Sequence, residues 1–365
     1  FFFVVRNNQN NPIRPRKIFD NSCRQNVSGN MRVKTGNKYS FHGFLYYIIY
    51  NKRMSALFSL IKKTAKLAIR TYYRAIDSLP IWLAVNREAI SLQKKFSAPL
   101  DVIGKRLVED LKRDGIALAH ANELFPKENK FEELLSYAQK LEREASVKTG
   151  KKFLGFYFDD QPMLDFKNPF VQLALENKVL GIINSYMGMF SKFYMFTLNK
   201  TMPIPQGMKE VQSQRWHRDP EDKKMVKVFV YLNDVDESAG PFIYAKGSHF
   251  EGKYGNLFPP QPPRGALPQP EEVKRLIPEK DILVCTAPAG TIVFCDTRGI
   301  HKGGYATKKH RVMSTFYYSS RASQWPLRYQ YPENFKETLV SMNPSPAQRY
   351  ALDNFYRIGK KVYKF

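Results

Sequence analysis

Short runs of apolar, β-branched and aromatic residues, each bounded by turn residues, occupy the chain from about 191 to 322. Many short strands separated by Gly and Pro turns are typical of an antiparallel sandwich or barrel. The clearest predicted strands lie at 193–198, 225–232, 291–295 and 312–318. The Pro-rich segment 259–270 cannot join a central strand. We therefore expect it to form a long surface loop, placed as a lid over a pocket.

Upstream of these strands, the chain from about 54 to 190 is mostly helical in pattern. Along 57–76, apolar residues recur at helical spacing while basic residues repeat every four positions on another face: Lys62, Lys66, Arg70 and Arg74. Further helices are predicted at 101–113, 129–146 and 168–187. The predicted regions are a basic flexible segment 1–53, an amphipathic helical extension 54–98, a main domain 99–325 with its strand core at about 191–322, and a tail 326–365.

The net charge of +25 is concentrated near the start of the sequence. Residues 1–100 hold 18 Lys and Arg but 3 Asp and Glu, a net charge of +15. Such an excess favours an acidic partner, either an anionic lipid surface or nucleic acid, or else a basic arm that aids solubility. The helix at 57–76 either lies on an anionic membrane or packs its apolar side on the protein.

Cysteine spacing and hydropathy indicate the cellular compartment of the protein. Cys23, Cys285 and Cys295 show no CxxC spacing, which disfavours a disulfide framework or a cysteine zinc site. No apolar run approaches the roughly 20 residues of a membrane span, and no signal peptide is evident. Met31 and Met54 are candidate starts for a chain that begins at Phe1. We expect a cytoplasmic protein, with peripheral membrane association left open.

Chemistry is indicated by two of the six histidines. In the stretch QRWHRDP, His217 and Asp219 are two residues apart, so on an extended chain both side chains face the same side. His301 follows a predicted strand and a short turn. Two histidines and one carboxylate on one face of a metal leave three positions open, the arrangement that iron(II) oxygenases use. We therefore predict His217, Asp219 and His301 as metal ligands and catalytic centre.

Arg311 lies ten residues after His301 and opens an alternating, strand-like run. A guanidinium inside a barrel needs an anion, and its planar fork suits the far carboxylate of a 2-oxo diacid. The alternative is an arginine on an edge strand in solvent. Together with the three metal ligands, Arg311 predicts a site for a 2-oxo acid cosubstrate.

These motifs occur in an order that resembles the phytanoyl-CoA dioxygenase family of iron- and 2-oxoglutarate-dependent oxygenases. The matching pieces are WHRD at 216–219, KVFVYLNDVDESAGPFIYAKGSH at 227–249, PAGTIVFCDTRGIHKGG at 288–304 and HRVMSTFYYSS at 310–320. The resemblance implies an α+β fold: a double-stranded β-helix (jelly-roll, cupin-like) core with flanking N-terminal helices. It also implies iron(II) and 2-oxoglutarate as cofactor and cosubstrate, with O2 as oxidant.

The family pattern is carried over residue by residue. His217, Asp219 and His301 match the iron ligands, and Arg311 matches the residue that pairs with the 5-carboxylate of 2-oxoglutarate. Asn199 and Lys200 lie in a region that can contact cosubstrate or substrate in this family. His249 matches a structural turn. The carboxylate of Asp219 implies hydroxylation, since halogenating relatives have a small residue there.

The resulting expectation is a dioxygenase that hydroxylates an unactivated C–H bond of a small organic or lipid-like substrate and releases succinate and CO2. One alternative is a metal-binding jelly roll, such as a cupin-type isomerase or binding module, that does not turn over 2-oxoglutarate. A second is a non-catalytic scaffold held on lipid or nucleic acid by its basic N-terminus. We predict no specific nucleic acid, and the substrate and oligomeric state are left open.

Overall fold

The structure of the protein is a computed structural model, which describes residues 56–144, 148–151, 153–205, 210, 212–261, 264–323, 325–353, 356–358 and 361–363. The segment 1–53, for which we predict flexibility, lies outside the described residues. The chain divides into Phe1–Lys66, whose described part is the start of the first helix, and Leu67–Phe365. Within the described residues, no helix is both long enough and apolar enough to cross a bilayer.

The strands form two antiparallel sheets and a separate hairpin. In chain order they are β1 (Ile116–His120), β2 (Lys148–Lys151), β3 (Leu154–Phe156), β4 (Lys192–Thr201), β5 (Met225–Tyr231), β6 (Phe242–Ala245), β7 (Ile282–Cys285), β8 (Thr291–Cys295), β9 (His301–Gly303), β10 (Arg311–Ser319), β11 (Tyr356–Ile358) and β12 (Lys361–Tyr363). The larger sheet has the order β1-β8-β5-β10-β4-β3-β2, the smaller sheet has the order β7-β6-β9, and β11 pairs with β12. The four strands predicted from the sequence are confirmed as β4, β5, β8 and β10.

Helices account for most of the chain before β4 and for parts of the tail. They are α1 (Ala56–Asp77), α2 (Leu79–Val85), α3 (Arg87–Phe96), α4 (Val102–Asp114), α5 (Ala121–Leu124), α6 (Lys130–Glu144), α7 (Pro169–Ala174), α8 (Asn177–Met187), α9 (Pro270–Leu276), α10 (Phe335–Ser341) and α11 (Pro346–Leu352), with 3₁₀ turns at Gln212–Gln214 and Glu279–Asp281. At α4, the Asp101 side chain accepts from the Gly104 N–H at 2.8 Å, and Gly115 ends the helix with a φ of +78°.

The segment 168–187, predicted as one helix, forms two. Asn168 caps α7 through the Phe170 N–H at 2.9 Å, and Glu176 adopts an extended backbone before α8 begins. Both short helices bury apolar side chains around most of their circumference. One straight helix presents a single apolar stripe to a core, so the break lets both pieces bury their apolar surface.

Strand alternation gives the larger sheet an inner and an outer face. The outer face carries Val228 and Phe316 and packs in one apolar cluster with helical residues such as Leu107 and Leu180. The inner face carries Phe229, whose ring centroid lies 4.8 Å from that of Phe242 on the smaller sheet. The smaller sheet therefore packs on the inner face of the larger one, and the helices cover the outer face.

The described parts of the Pro-rich segment, 259–261 and 264–269, lie outside the strands, as predicted, and α9 begins at Pro270. It passes close to the backbone that carries the HxD motif, because the Arg218 N–H donates to the Ala266 carbonyl at 3.0 Å. A Cβ at Gly265 would lie 1.9 Å from the Arg218 carbonyl oxygen, so only glycine fits this approach. Its service as a lid stays a prediction.

Candidate metal centre

The HxD motif lies along the edge of the smaller sheet. His217 and His301 exchange two backbone hydrogen bonds, each 2.9 Å long, and the Asp219 N–H donates to the Thr297 carbonyl at 3.0 Å. Since His301 opens β9, which pairs with β6, the motif extends the order of this sheet to β7-β6-β9-motif. Pairing directly opposite brings the two imidazole rings to 4.1 Å between centroids.

His217, Asp219 and His301 offer three ligand atoms that lie within 4.8 Å of one another. His217 Nε2 lies 3.7 Å from Asp219 Oδ1, and His301 Nε2 lies 3.7 Å from Asp219 Oδ2. All three side chains are at least partly buried. The structure therefore brings together the three residues that the sequence predicts as metal ligands.

Backbone carbonyls fix the orientation of both imidazoles. His217 Nδ1 donates to the Arg215 carbonyl at 2.8 Å, and His301 Nδ1 donates to the Gly299 carbonyl at 2.9 Å. A carbonyl can only accept, so a neutral ring must carry its proton on Nδ1 and leave the Nε2 lone pair free. A hydrogen bond of this kind is what orients a metal-binding histidine.

The charges at the site also suit ligation. Burial raises the pKa of Asp219, but Lys227, His301 and His217 outweigh burial and hold it well below its usual value. Burial, followed by the neighbouring His217, lowers the pKa of His301 to about 3. The carboxylate is therefore ionised and the His301 imidazole is neutral at neutral pH, which are the states that bind metal.

Lys227 belongs to the site, although sequence reasoning missed it. Its Nζ lies 2.5 Å from Asp219 Oδ2, and the attraction of Asp219 and Glu221 raises its pKa against the opposing effect of burial. The signal was present, because Lys227 is the one charged residue in the otherwise apolar strand MVKVFVY. It shares its strand face with Phe229 and Tyr231, and that face is the inner one.

Glu221 is a second missed neighbour. Burial, and then the charge of Asp219, raise its pKa to about 8. Its Oε2 is buried and makes no hydrogen bond with the residues that the structure describes. A protonated Glu221 beside the ligand carboxylate is consequently a hydrogen-bond donor available to a bound molecule.

Arg218 lies between the two ligands of the motif and is fully buried. Its guanidinium donates to the carbonyls of Ser248, Arg298, Tyr254 and Leu257, with a longer contact to that of Gly255. Ser248 belongs to the Gly-Ser-His turn, where His249 contacts the Lys112 carbonyl at 3.1 Å and is buried, in keeping with a structural role. Arg218 thus ties the ligand segment to the turn that follows β6.

Arg311 lies at the start of β10 on the inner face, as the sequence predicts for a cosubstrate anchor. It is buried; its Nη1 donates to the Gly240 carbonyl, and its Nη2 lies 3.5 Å from Thr201 Oγ1. Among the described residues, no carboxylate pairs with it, and its Nε has no partner. Burial lowers its pKa, so the site holds a cation that lacks a counter-ion.

Asn199 and Lys200 are neighbours on β4, so their side chains face opposite sides of the sheet. Asn199 is opposite Met313 in the register and shares the inner face with Arg311; its Oδ1 is buried without a partner among the described residues. Lys200 pairs with Glu142 of α6 at 2.7 Å. The structure therefore brings Asn199, and not Lys200, to the side of the metal ligands.

Two basic residues flank His301, and both make contacts within the protein. Arg298 is buried and bonds to Asp77 at 3.0 Å and to the Asp222 carbonyl at 2.7 Å. Lys302 pairs with Glu210 at 2.7 Å. Both side chains accordingly act as structural contacts in this arrangement.

No protein-family model and no curated protein matches the sequence. Among solved structures, the epimerase SnoN in complex with Fe3+, alpha-ketoglutarate and nogalamycin RO is 17% identical, with a TM-score of 0.43 over 60% of this chain and 83% of that one. HygX from Streptomyces hygroscopicus, with nickel, 2-oxoglutarate and hygromycin B bound, is 16% identical, with a TM-score of 0.41 over 61% and 89%.

EctD from S. alaskensis with bound Fe is also 16% identical, with a TM-score of 0.44 over 66% of this chain and 85% of that one. Identities and scores of this size do not decide the chemistry of this chain, which depends on its own residues.

Proposed function

We propose that the protein is an iron(II)- and 2-oxoglutarate-dependent oxygenase built on a jelly-roll core. Its reaction would be the hydroxylation of an unactivated C–H bond in a small organic or lipid-like substrate, with O2 as oxidant and release of succinate and CO2. The observation that carries the proposal is the combination of a two-histidine, one-carboxylate ligand set with a buried, counter-ion-free Arg311 on the same inner face.

The strand sequence supports the jelly-roll part of the proposal. From β5 to β10, successive strands belong to the larger, smaller, smaller, larger, smaller and larger sheets. The HxD motif, which precedes β5, adds to the smaller sheet, and β4 before it belongs to the larger one. This alternation between two packed antiparallel sheets is how a double-stranded β-helix is wound.

Iron(II) would be held by Nε2 of His217, Nε2 of His301 and one carboxylate oxygen of Asp219. The donor set suits iron because it occupies one face and leaves three positions for a chelating cosubstrate and dioxygen. Lys227 binds Asp219 Oδ2, so it favours ligation through the other oxygen alone. A two-oxygen mode would take one of the three open positions, so Lys227 helps to keep them free.

Arg311 would bind the far carboxylate of 2-oxoglutarate. A dianion entering between the sheets supplies the counter-ion that Arg311 lacks, and the Thr201 hydroxyl on the same face can donate a hydrogen bond to its carboxylate. A chain of contacts connects Arg311 with the candidate ligands. Arg311 interacts with the side chain of Tyr231. The Phe242 N–H lies 3.4 Å from Tyr231 Oη, and the Phe242 ring lies 5.5 Å from the His301 ring between centroids. Lys200 faces the other side of the sheet, where it pairs with Glu142, so it has no part in this proposed contact.

When bound, iron(II) and 2-oxoglutarate supply the oxidising chemistry, and the chain supplies binding, orientation and exclusion of water. The inner-face residues Phe229, Phe242 and Val293 pack in one buried apolar cluster beside the ligands. Such packing limits the access of water to the reacting atoms.

Succinate formation from 2-oxoglutarate tests the proposal. Purified protein with iron(II), 2-oxoglutarate and air should form succinate, and either His217→Ala or Asp219→Ala should abolish it. His310→Ala, a matched change at an exposed histidine, should leave the rate unchanged. Undiminished turnover in either ligand variant would refute the site assignment, and iron binding without any succinate would favour a cupin-type metalloprotein.

A further inference from the structure

Exposed apolar side chains concentrate on one short stretch of the chain. Large apolar residues at least 40% exposed there are Leu67 at 65%, Tyr72 at 45%, Leu79 at 47%, Ile81 at 41% and Leu83 at 43%. These five account for more than a third of the fourteen exposed large apolar residues in the described part of the chain. Single exposed apolar residues are ordinary, but a concentration of this kind marks an interaction surface. We call residues 67–83 the α1–α2 patch.

The patch is held rigidly, so its exposure does not reflect a detached helix. Trp82, between the exposed residues of α2, is buried and donates to Asp222 Oδ1 at 2.7 Å. Asp222 in turn accepts from Ser319 Oγ and from the Ser320 N–H, both at 2.7 Å. Leu79 and Leu83, one helical turn apart, are therefore presented to solvent from a fixed frame.

The charge of the patch is entirely positive towards solvent. Residues 57–87 contain a single acidic residue, Asp77, whose Oδ2 forms an ion pair with Arg298 Nη2 at 3.0 Å. Arg70 and Arg74 are exposed on α1, and neither forms an ion pair with any described residue. Exposed cations interleaved with exposed aliphatic and aromatic side chains are the pattern of a helix that lies in the headgroup region of a membrane.

The apolar surface continues beyond α2. Leu79, Leu83, Ile90 and Phe250 line a groove of about 190 Å³. At its edge, Lys223 Nζ lies 4.4 Å from the centroid of the Phe250 ring. Lys224 and Glu251, which form an ion pair at 2.7 Å, also line the groove, so its lining carries one net positive charge. An apolar groove with a net positive edge fits a molecule with an apolar tail and an anionic head, such as a lipid.

We propose that the α1–α2 patch docks the protein on an anionic membrane surface, with Leu79 and Leu83, which share one face of α2, in the apolar boundary and Arg70 and Arg74 on the headgroups. The phosphates of a nucleic acid would bind the arginines but would offer no apolar surface for the exposed leucines to contact. This inference does not depend on the proposed oxygenase activity.

The test is co-sedimentation of the full chain with phosphatidylcholine vesicles, with and without phosphatidylserine. The protein should bind the anionic vesicles more tightly, and added salt should weaken binding. Arg70→Gln with Arg74→Gln should lower the partition coefficient about twenty-five-fold, since each basic residue near an anionic surface contributes about fivefold. Leu79→Gln with Leu83→Gln should lower it about tenfold also, through loss of apolar burial.

Matched controls lie on other exposed helices. Lys274→Gln with Arg275→Gln on α9, and Val340→Gln with Met342→Gln at the C-terminal end of α10, remove the same charges and comparable apolar groups and should leave vesicle binding unchanged. Equal sedimentation with neutral and anionic vesicles, or equal loss in patch and control variants, would overturn the proposal.

Two further results would also overturn the proposal. One is DNA binding that the arginine pair removes and the leucine pair leaves intact, in a protein that ignores vesicles. The other is self-association, seen by light scattering, that the leucine pair abolishes without any effect on vesicles.

Discussion

Each side chain of the candidate metal centre is fixed by a contact outside the centre itself. Two backbone carbonyls orient the imidazoles of His217 and His301, and Lys227 holds one oxygen of Asp219. The ligands were predictable from the sequence because HxD, a distal histidine and a following arginine form a local pattern. Lys227 was not predicted, because its role arises only when β5 is folded beneath the motif.

The adjacent residues Asn199 and Lys200 show a limit that follows from strand geometry. Both fall in the region that the family resemblance assigns to cosubstrate contact, yet neighbouring residues on a strand face opposite sides. The sequence alone does not show whether the odd-numbered or the even-numbered residues of β4 face the inner side of the sheet, because that depends on the register with β10. In that register Asn199 lies on the same face as Arg311, whereas Lys200 lies on the opposite face and pairs with Glu142.

Arg311→Ala should raise the 2-oxoglutarate requirement sharply. It removes a charge-assisted pair worth about 1.5–3 kcal/mol, which corresponds to roughly ten- to a hundredfold in affinity. The measurement is the concentration of 2-oxoglutarate at half-maximal succinate formation. Arg311→Lys keeps the charge without the planar fork and should recover part of the loss. An unchanged requirement would reassign Arg311 to a structural role.

Acidification should destabilise the metal-free protein through His301. Its pKa is about 3 when folded and 6.5 when unperturbed, so between these pH values the unfolded chain binds a proton that the folded chain lacks. Stability contributed by neutral, buried His301 is therefore lost as pH falls below 6.5. In urea unfolding of chelator-treated protein, the free energy of unfolding at pH 5 relative to that at pH 7 should be lower in the wild type than in His301→Gln. The comparison with the variant isolates His301, because Glu221, whose pKa is raised to about 8, stabilises the folded state as pH falls over the same range.

His120→Gln, at a histidine on β1 outside the ligand set, serves as the matched control in the same experiment. Asp219 does not confuse the result, since its lowered pKa makes its own contribution disappear only below its ordinary range. Equal pH dependence in the wild type and His301→Gln would contradict the burial of a neutral imidazole.

The secondary structure elements show how the ligand segment is kept in place. Residues 217–219 are an edge addition to the smaller sheet, pinned by β9 on one side and by the Pro-rich loop at Ala266 on the other. The loop and the four central strands of the larger sheet, β8, β5, β10 and β4, were predicted correctly, because proline content and alternation are local signals. Helix 168–187 was predicted as continuous, and its break depends on what the two halves pack against.

Arg218→Met should weaken this anchoring strongly. It would leave the carbonyls of Ser248, Arg298, Tyr254 and Leu257 without their shared donor, at about 1–3 kcal/mol for each buried group left unsatisfied. We expect a marked fall in the midpoint of thermal unfolding and weaker metal binding. Arg215→Met, three positions earlier and exposed, is the matched control and should change neither. Equal effects of the two substitutions would show that Arg218 does not anchor the segment.

In the whole molecule, two packed antiparallel sheets enclose a polar site, helices cover the outer sheet face, and the α1–α2 patch remains open to solvent. The α+β class with helices before the strand core was predictable from composition shifts along the chain. The exposed leucines of α2 were not, because apolar residues at helical spacing predict burial until the structure shows that Trp82 alone is inside.

The central claim is that the ligand set and Arg311 form a single site for iron(II) and 2-oxoglutarate. Anaerobic titration of the purified protein with iron(II), then with 2-oxoglutarate, tests it most directly. The account predicts a weak visible charge-transfer band from the chelated 2-oxo acid, lost in His301→Ala. Iron binding without the band would contradict the cosubstrate site, and failure to bind iron would contradict the metal centre itself.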